Sequence, residues 1–233
     1  APDYAENVKF ADNWLAPHPG TDAAVAQAMT HVILQEFYED EPSDMFVNYA
    51  KQYTDMPFVL MLDEDENGYK AGRFLRASDL GIKSKNGEWK PVIHDAISHK
   101  LVVPNGTMGQ RWEEGKQWNL KLETEDGSKI DPALSVAEED YELQTIQFPY
   151  FDSQGDGIFE RPIPTKKVKL ADGKEVRIAT VYDLMASQYG IKRFGHELEA
   201  KSYEDSESKY TPAWQENVTG IKQELVTQVA REF

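Results

Sequence analysis

The chain has 233 residues, with 25 Lys and Arg against 41 Asp and Glu, and it contains no cysteine. A net charge of −16 repels phosphate backbones and anionic lipids, which argues against nucleic-acid binding and docking on membrane surfaces. Without cysteine, disulfides, thiol nucleophiles and Fe–S ligands within these residues are excluded. The sequence has no apolar run near the roughly 20 residues of a membrane-spanning helix, so direct membrane insertion is not expected.

Residues 1–57 are predicted to be largely helical. A turn at Pro19-Gly20 is followed by Thr21, a residue suited to cap a helix, and by Asp22, which is favourable in a first helical turn. Apolar residues then recur on one helical face, which predicts a helix from about residue 22 to about residue 38. A second short helix is expected beyond the acidic break at Pro42.

Residues 58–180 are predicted to form a series of β-hairpins. The strands and turns are expected at 58–62 and 69–75, at 91–94 and 101–103, at 118–122 before a turn at 126–127, and at 167–170 and 176–179. Asn67-Gly68 and Asp172-Gly173 suit the positive φ values of hairpin turns. The last hairpin is the clearest, because both of its arms alternate apolar and polar residues.

Residues 181–233 are predicted to return to helix. Three helices are expected: one over 181–189 that ends at Gly190, one that Thr211 caps before Pro212 and Gly220 ends, and one over 222–233. The polar stretch 197–210 is expected to be an exposed loop. Since the chain lacks an initiator Met and its last helix reads as still running at Phe233, we expect an internal piece of a longer protein.

The known glycine-rich nucleotide motifs and the nucleophile elbow of hydrolases do not occur in the sequence. His94 and His99 could approach each other across a hairpin, but a histidine pair without further close ligands favours polar surface, so no metal site is expected there. The stretch from Asp152 to Glu160 has oxygen ligands spaced as in a calcium loop, whereas Ile163 stands where a bidentate Glu belongs. An independent calcium-stabilised binding module therefore stays open beside an ordinary turn.

A set of short stretches, in order along nearly the whole chain, carries a resemblance to known proteins. They are 2–6, 10–17, 19–24, 31–34, 53–57, 71–80, 104–107, 148–151 and 211–214. Together they resemble the molybdopterin oxidoreductase (dimethyl sulfoxide reductase) family and, within it, the alpha subunits of the respiratory nitrate reductase group. The Pro-Gly-Thr-Asp-Ala-Ala sequence at 19–24, a turn followed by a helix, is the most characteristic piece.

The resemblance implies an α+β fold with three sections. The helices of 1–57 and of 181–233 would belong to one dinucleotide-binding-like α/β domain that holds a molybdopterin guanine dinucleotide. Residues 58–180 would be a β-hairpin-rich insertion in that domain. The parallel strands expected before Ala1 and after Phe233 would lie outside this chain.

The resemblance also implies a function, namely that of a segment of a catalytic subunit that reduces nitrate to nitrite in anaerobic respiration. The parent protein would hold molybdenum through a bis(molybdopterin guanine dinucleotide) cofactor and would carry a 4Fe-4S cluster. The ligands of both lie outside this segment, so we expect no catalytic or metal-binding residue, no retained cofactor and no activity in the isolated chain. Related reductases of chlorate, perchlorate or selenate are alternatives, because substrate choice is set elsewhere in the subunit.

Further implications concern partners and location. An Fe–S electron-transfer subunit and a membrane haem subunit are the implied partners of the parent protein. They would place it in the cytoplasm, on the inner face of the cell membrane.

Four residues are candidate cofactor-binding residues by this resemblance. Gly20, Thr21 and Asp22 match the family turn that approaches a guanine nucleotide: glycine allows close approach, a helix N-terminus offers N–H donors, and Asp can accept from guanine. The other interpretation of Thr21 and Asp22 is helix capping alone. Relatives place an Asp at the end of the preceding strand where this sequence has Ala1, and Asp3 is the candidate substitute.

Overall fold

A computed structural model describes residues 9–66, 68–106, 121–152 and 155–233. The α-helices are α1 (Asp22–Leu34), α2 (Asp44–Tyr53), α3 (Val181–Tyr189), α4 (Pro212–Thr219) and α5 (Gln223–Glu232). The strands are β1 (Val59–Asp65), β2 (Gly68–Phe74), β3 (Ile93–Asp95), β4 (Lys100–Val102), β5 (Glu142–Asp152), β6 (Gly155–Lys169) and β7 (Glu175–Thr180). The predicted α+β class with a hairpin-rich middle is confirmed.

The chain divides into two compact units. The first unit holds the residues up to Ser43 together with Ala186–Phe233, and the second unit is Asp44–Met185. In the part of the chain that the structure describes, no helix combines the length and the apolar composition needed to cross a lipid bilayer.

In the first unit, α1 is held by residues near the other end of the chain. Ala28 is fully buried and packs with Ile221 and Val226, of which Val226 is also fully buried. Burying a Val side chain fully is worth about 1.5–3 kcal/mol. His31, 2% exposed, lies on the same helix, and its Nδ1 is 2.8 Å from the carbonyl oxygen of Tyr189, which accepts a hydrogen bond from the ring. This histidine is therefore a hydrogen-bonded core residue.

The end of the helix predicted over about 22–38 is a π-helix and not an α-helix. The α-helix ends at Leu34, and a π-helix, Gln35–Asp40, continues to two residues past the predicted end. The buried Gln35 side chain bonds the Lys192 backbone in both directions, since Lys192 N–H donates to its Oε1 at 2.9 Å and its Nε2 donates to the Lys192 carbonyl at 3.3 Å. A 3.6-residue apolar pattern carries no signal for such a widened turn.

The predicted helix ends after residue 180 are confirmed. Thr211 caps α4 by accepting a hydrogen bond from the Trp214 N–H at 3.1 Å, and Pro212 follows the cap. Gly190 and Gly220 follow α3 and α4 with φ values of +71° and +78°, a region that glycine enters without steric cost.

The second unit is built around a closed barrel of five strands in the order β1-β2-β5-β6-β7. β1 pairs antiparallel with β7, joining Val59–Met61 to Ile178–Thr180, and β2 pairs parallel with β5 at Tyr69 and Ile146. β3 and β4 form a separate two-stranded sheet. One apolar cluster of the barrel holds Leu60, Leu62, Ile146, Phe148, Ile163 and Ala179, all 6% exposed or less.

The predicted hairpins of β1 with β2, β3 with β4, and β6 with β7 are confirmed. Asn67 lies outside the described residues, as does 118–120, although the turn at Gly127 is present with φ +83°. The longest hairpin, β5 with β6, and the closure of the sheet were not predicted.

A close contact between β1 and β2 yields a stability prediction at Gly72. The register shifts between Leu60 and Leu62, and a Cβ on Gly72 would lie 2.6 Å from the Met61 carbonyl oxygen and 3.0 Å from Asp63 Oδ1. We expect Gly72→Ala to lower the free energy of unfolding by about 1–3 kcal/mol, because the backbone of β1 must shift. Urea unfolding of the chain measures this change.

Gly157→Ala is the matched control, since it is also a strand glycine but the nearest atom to an added Cβ is 4.0 Å away. It should change the free energy of unfolding by about 0.5 kcal/mol or less. Equal effects of the two substitutions would contradict the steric explanation.

Candidate functional site

The turn at Gly20 precedes α1 and leaves space in front of it. Gly20 has φ +83°, and among the described residues nothing lies within 4 Å of a Cβ added there. Glycine is therefore required by the backbone conformation, and no described residue obstructs the side of the turn where a Cβ would stand. Thr21 N–H donates to the carbonyl oxygen of His18 at 3.1 Å, which closes the turn.

Thr21 occupies the N-cap position of α1, but the predicted capping by its hydroxyl is not formed within the described part of the chain. Its backbone has φ −112° and ψ 11°, outside the extended conformation usual at a cap. The hydroxyl instead donates to the His18 carbonyl oxygen at 2.7 Å. Thr21 therefore stabilises the turn, and its backbone carbonyl accepts the Ala24 N–H at 3.0 Å.

Asp22 is exposed in the first turn of α1. Helical geometry gives the N–H groups of Asp22 and Ala23 no intrahelical acceptor, and the helix dipole adds positive potential there. An exposed carboxylate beside two N–H donors can bind a group that both donates and accepts hydrogen bonds, as the edge of a guanine base does. Asp3, the fourth candidate, lies outside the described residues.

The second unit brings together the two histidines noted in the sequence. His99 Nδ1 lies 2.5 Å from Oε1 of Glu139, and His94 Nε2 lies 3.4 Å from its Oε2. Lys166 also forms an ion pair with that carboxylate. Glu139 is thus shared by two rings and an ammonium group, which come from distant parts of the chain.

The electrostatics of this cluster follow from its contacts. The Lys166 ammonium and then His99 hold the pKa of the Glu139 carboxyl at about 2, against an ordinary value of 4.5. Burial lowers the pKa of the His94 imidazole, although the Glu139 carboxylate acts in the opposite direction. Among the described residues, no group of three or more His, Asp or Glu side chains is arranged to hold a metal ion.

The proposed calcium stretch is only partly described. β5 ends at Asp152 and β6 begins at Gly155, and these two residues face each other in the register of a hairpin. Residues 153 and 154, and the side chains of 151–156, lie outside what the structure describes. Calcium binding at this stretch stays a prediction.

Sequence reasoning selected Gly20, Asp22 and both histidines, but it missed the roles of His18, Glu139 and Lys166 beside them. The role of His18 could not be predicted from its side chain, because it contacts the Gly20 turn through its backbone carbonyl. Glu139 is 40 residues from His99 and 27 from Lys166, so local spacing held no signal for this cluster.

Comparison with known proteins finds no matching family model, but it finds relatives over the whole chain. The nitrate reductase alpha chain of Bacillus subtilis (strain 168) is 48% identical over 234 residues, with 100% of this chain and 19% of the relative covered. The respiratory nitrate reductase 1 alpha chain of Escherichia coli (strain K12) is 40% identical, with 100% of this chain and 20% of the relative covered. The perchlorate reductase subunit alpha of Dechloromonas aromatica (strain RCB) is 26% identical, with 100% and 20% covered.

These relatives are alpha chains of reductases named for the oxyanions nitrate and perchlorate, and the chain is similar to one segment of each of them. More narrowly, it is homologous along its entire length to nitrate reductase alpha chains, which confirms the resemblance found in the sequence. The chain spans about one fifth of the length of these relatives.

The Glu139 cluster predicts a specific acid dependence of stability. The folded pKa of about 2 lies below the ordinary 4.5, so the contribution of Glu139 is present above pH 4.5 and is lost as the pH falls towards 2. We expect Glu139→Gln to lower stability at pH 7 and to flatten the loss of stability between pH 4.5 and 2. Urea midpoints across this pH range test the prediction.

Glu175→Gln is the control, because Glu175 is 63% exposed and its Lys167 partner is 3.7 Å away. Exposed ion pairs of this kind contribute little, so the control should follow the unmodified chain at every pH. Parallel pH curves for Glu139→Gln and the unmodified chain would refute the assignment.

Proposed function

We propose that this chain is an internal segment of the molybdenum-containing catalytic subunit of a respiratory nitrate reductase, which reduces nitrate to nitrite. The observation that supports this most is the end-to-end identity of 40–48% to nitrate reductase alpha chains. Perchlorate reductase subunit alpha, at 26%, is more distant, which favours nitrate over perchlorate. Chlorate, perchlorate and selenate remain the alternative substrates to be compared with nitrate.

The role of this segment is to supply scaffold and part of a guanine-dinucleotide cradle. In this assignment 1–57 and 181–233 belong to a molybdopterin guanine dinucleotide-binding domain, and 58–180 is a β-rich insertion in it. The first unit, which joins residues from both ends of the chain, is consistent with one domain interrupted by an insertion.

The residues of the Gly20 turn fit a guanine nucleotide. Gly20, Thr21 and Asp22, with Asp3 before them, are the proposed contacts. The space beside Gly20 lets the ligand approach the backbone, and the first N–H groups of α1 can donate to its acceptors. The exposed Asp22 carboxylate can accept from guanine N1 and N2. When bound, the molybdenum cofactor supplies the redox chemistry, and the residues of this segment bind and orient its nucleotide.

The parent subunit is proposed to carry a bis(molybdopterin guanine dinucleotide) molybdenum cofactor and a 4Fe-4S cluster. Its partners are an Fe–S electron-transfer subunit and a membrane haem subunit, which would hold it in the cytoplasm on the inner face of the cell membrane. The isolated chain is proposed to retain neither cofactor and to be inactive.

The deciding experiment uses the full-length gene product, made in a host that lacks its own nitrate reductase. Viologen-coupled reduction of nitrate, chlorate, perchlorate and selenate is compared, and molybdenum is measured in the same sample. Turnover fastest on nitrate supports the proposal. Molybdenum without nitrate reduction would move the assignment to another oxyanion, and a folded subunit without molybdenum would refute the family function.

Asp22 provides a direct test of the cradle. We expect Asp22→Ala in the full-length subunit to weaken retention of the guanine nucleotide by about 10–100-fold, since a charged hydrogen bond is worth about 1.5–3 kcal/mol. Nucleotide released by acid from the dialysed subunit is quantified by chromatography.

Asp44→Ala is the matched control, because Asp44 is likewise exposed in the first turn of its helix, α2. It should leave retention unchanged. Equal retention in both variants would remove Asp22 from the cradle.

A further inference from the structure

We propose that His18 is the positioning residue of the turn that carries Gly20, Thr21 and Asp22, because it fastens this turn to the C-terminal end of α4. The inference rests on the proposed function of that turn as part of the nucleotide cradle. All of the contacts that support it lie within the first unit of the chain.

On one side, His18 bonds the end of α4. Its backbone N–H donates to the carbonyl oxygen of Thr219 at 3.0 Å, and its ring Nδ1 lies 3.3 Å from the carbonyl oxygen of Val218. The last carbonyls of a helix have no intrahelical donors, so they are free to accept from another part of the chain. His18 supplies such donors through both its backbone and its ring.

On the other side, His18 organises the turn before α1. Its carbonyl oxygen accepts the Thr21 N–H at 3.1 Å and the Thr21 hydroxyl at 2.7 Å. His18 therefore forms two hydrogen bonds with the end of α4 and two with the turn, and so it connects these two elements. Moving His18 must move the backbone that presents Gly20 and Asp22.

Gly220 supplies the space that His18 occupies. A Cβ on Gly220 would lie 2.8 Å from His18 Nε2, closer than real Cβ contacts allow, and 3.0 Å from Cε1. The residue also has φ +78°, as expected at the end of a helix. Gly195 has a similar φ of +69°, but among the described residues nothing lies within 4 Å of an added Cβ. These two glycines separate the steric effect on His18 from backbone strain.

The experiment measures the rate at which the full-length subunit loses its guanine nucleotide during dialysis. His18→Ala removes the ring donor, whereas His18→Asn keeps a donor near the place of Nδ1. We expect about tenfold faster loss with His18→Ala and a near-normal rate with His18→Asn, because one hydrogen bond of the anchor is lost only in the first. Unfolding midpoints are measured in parallel, and the two variants should differ more in nucleotide loss than in stability.

The glycine pair gives a second measurement. Gly220→Ala should speed nucleotide loss as His18→Ala does. Gly195→Ala should lower stability by a similar amount through backbone strain, but the rate of nucleotide loss should stay near that of the unmodified subunit. If His18→Ala does not fold, Gly220→Ala and His18→Asn still decide the question. Normal retention in His18→Ala or in Gly220→Ala, or equal losses in both glycine variants, would overturn the inference.

Failure of the proposed function has a different signature. In that case the unmodified subunit would contain no guanine nucleotide, or Asp22→Ala would retain it normally. Either result would overturn the proposed nucleotide binding and, with it, the inference about His18. Loss in Asp22→Ala together with normal retention in His18→Ala would overturn the role of His18 alone.

Discussion

The pairing of β1 with β7 is the interaction on which the barrel depends. It joins Val59–Met61 to Ile178–Thr180, which are far apart in the sequence, and without it the other strands would leave an open sheet with unpaired edges. The end of β7 is fixed by the fully buried Asp183, which accepts hydrogen bonds from the Val136 N–H at 2.9 Å and from the Thr180 hydroxyl at 2.9 Å. A buried carboxylate that accepts several hydrogen bonds is well satisfied, so it can hold the strand that closes the barrel.

The residues at the turns made the hairpin of β6 with β7 predictable, but the sequences of β5 and β6 did not indicate that these two strands pair. The Asp172-Gly173 turn identified its hairpin. Proline is uncommon inside strands, yet Pro149, Pro162 and Pro164 lie within β5 and β6. The structure explains the exception. Among the described residues, β5 pairs with β2 at Ile146 alone and β6 pairs with β7 from Lys166 onwards, so each proline lies where its strand has one described neighbour. Proline has no N–H group to donate, and on the side of a strand that has no paired neighbour no such donor is needed.

The candidate site shows the same division between local and distant causes. The positive φ at Gly20 and the acid in the first helical turn were predictable, because both follow from residues next to each other in sequence. The conformation of Thr21 was not, since its hydroxyl bonds the turn instead of the helix. In the second unit, sequence spacing indicated the two histidines but could not supply Glu139, whose contacts depend on the tertiary fold.

The local sequence of the Gly20 turn and α1 is therefore not enough to fix their structure. α1 has 13 residues, a length at which an isolated helix is marginal in water. Its stability depends on packing with Ile221 and Val226, and the turn before it is bonded to the end of α4. A peptide that carried only 19–34 would contain Gly20, Thr21 and Asp22 without the core that holds the helix or the carbonyls that anchor the turn. The residues proposed to bind a ligand and the core residues of α5 that support their helix thus lie at opposite ends of this chain.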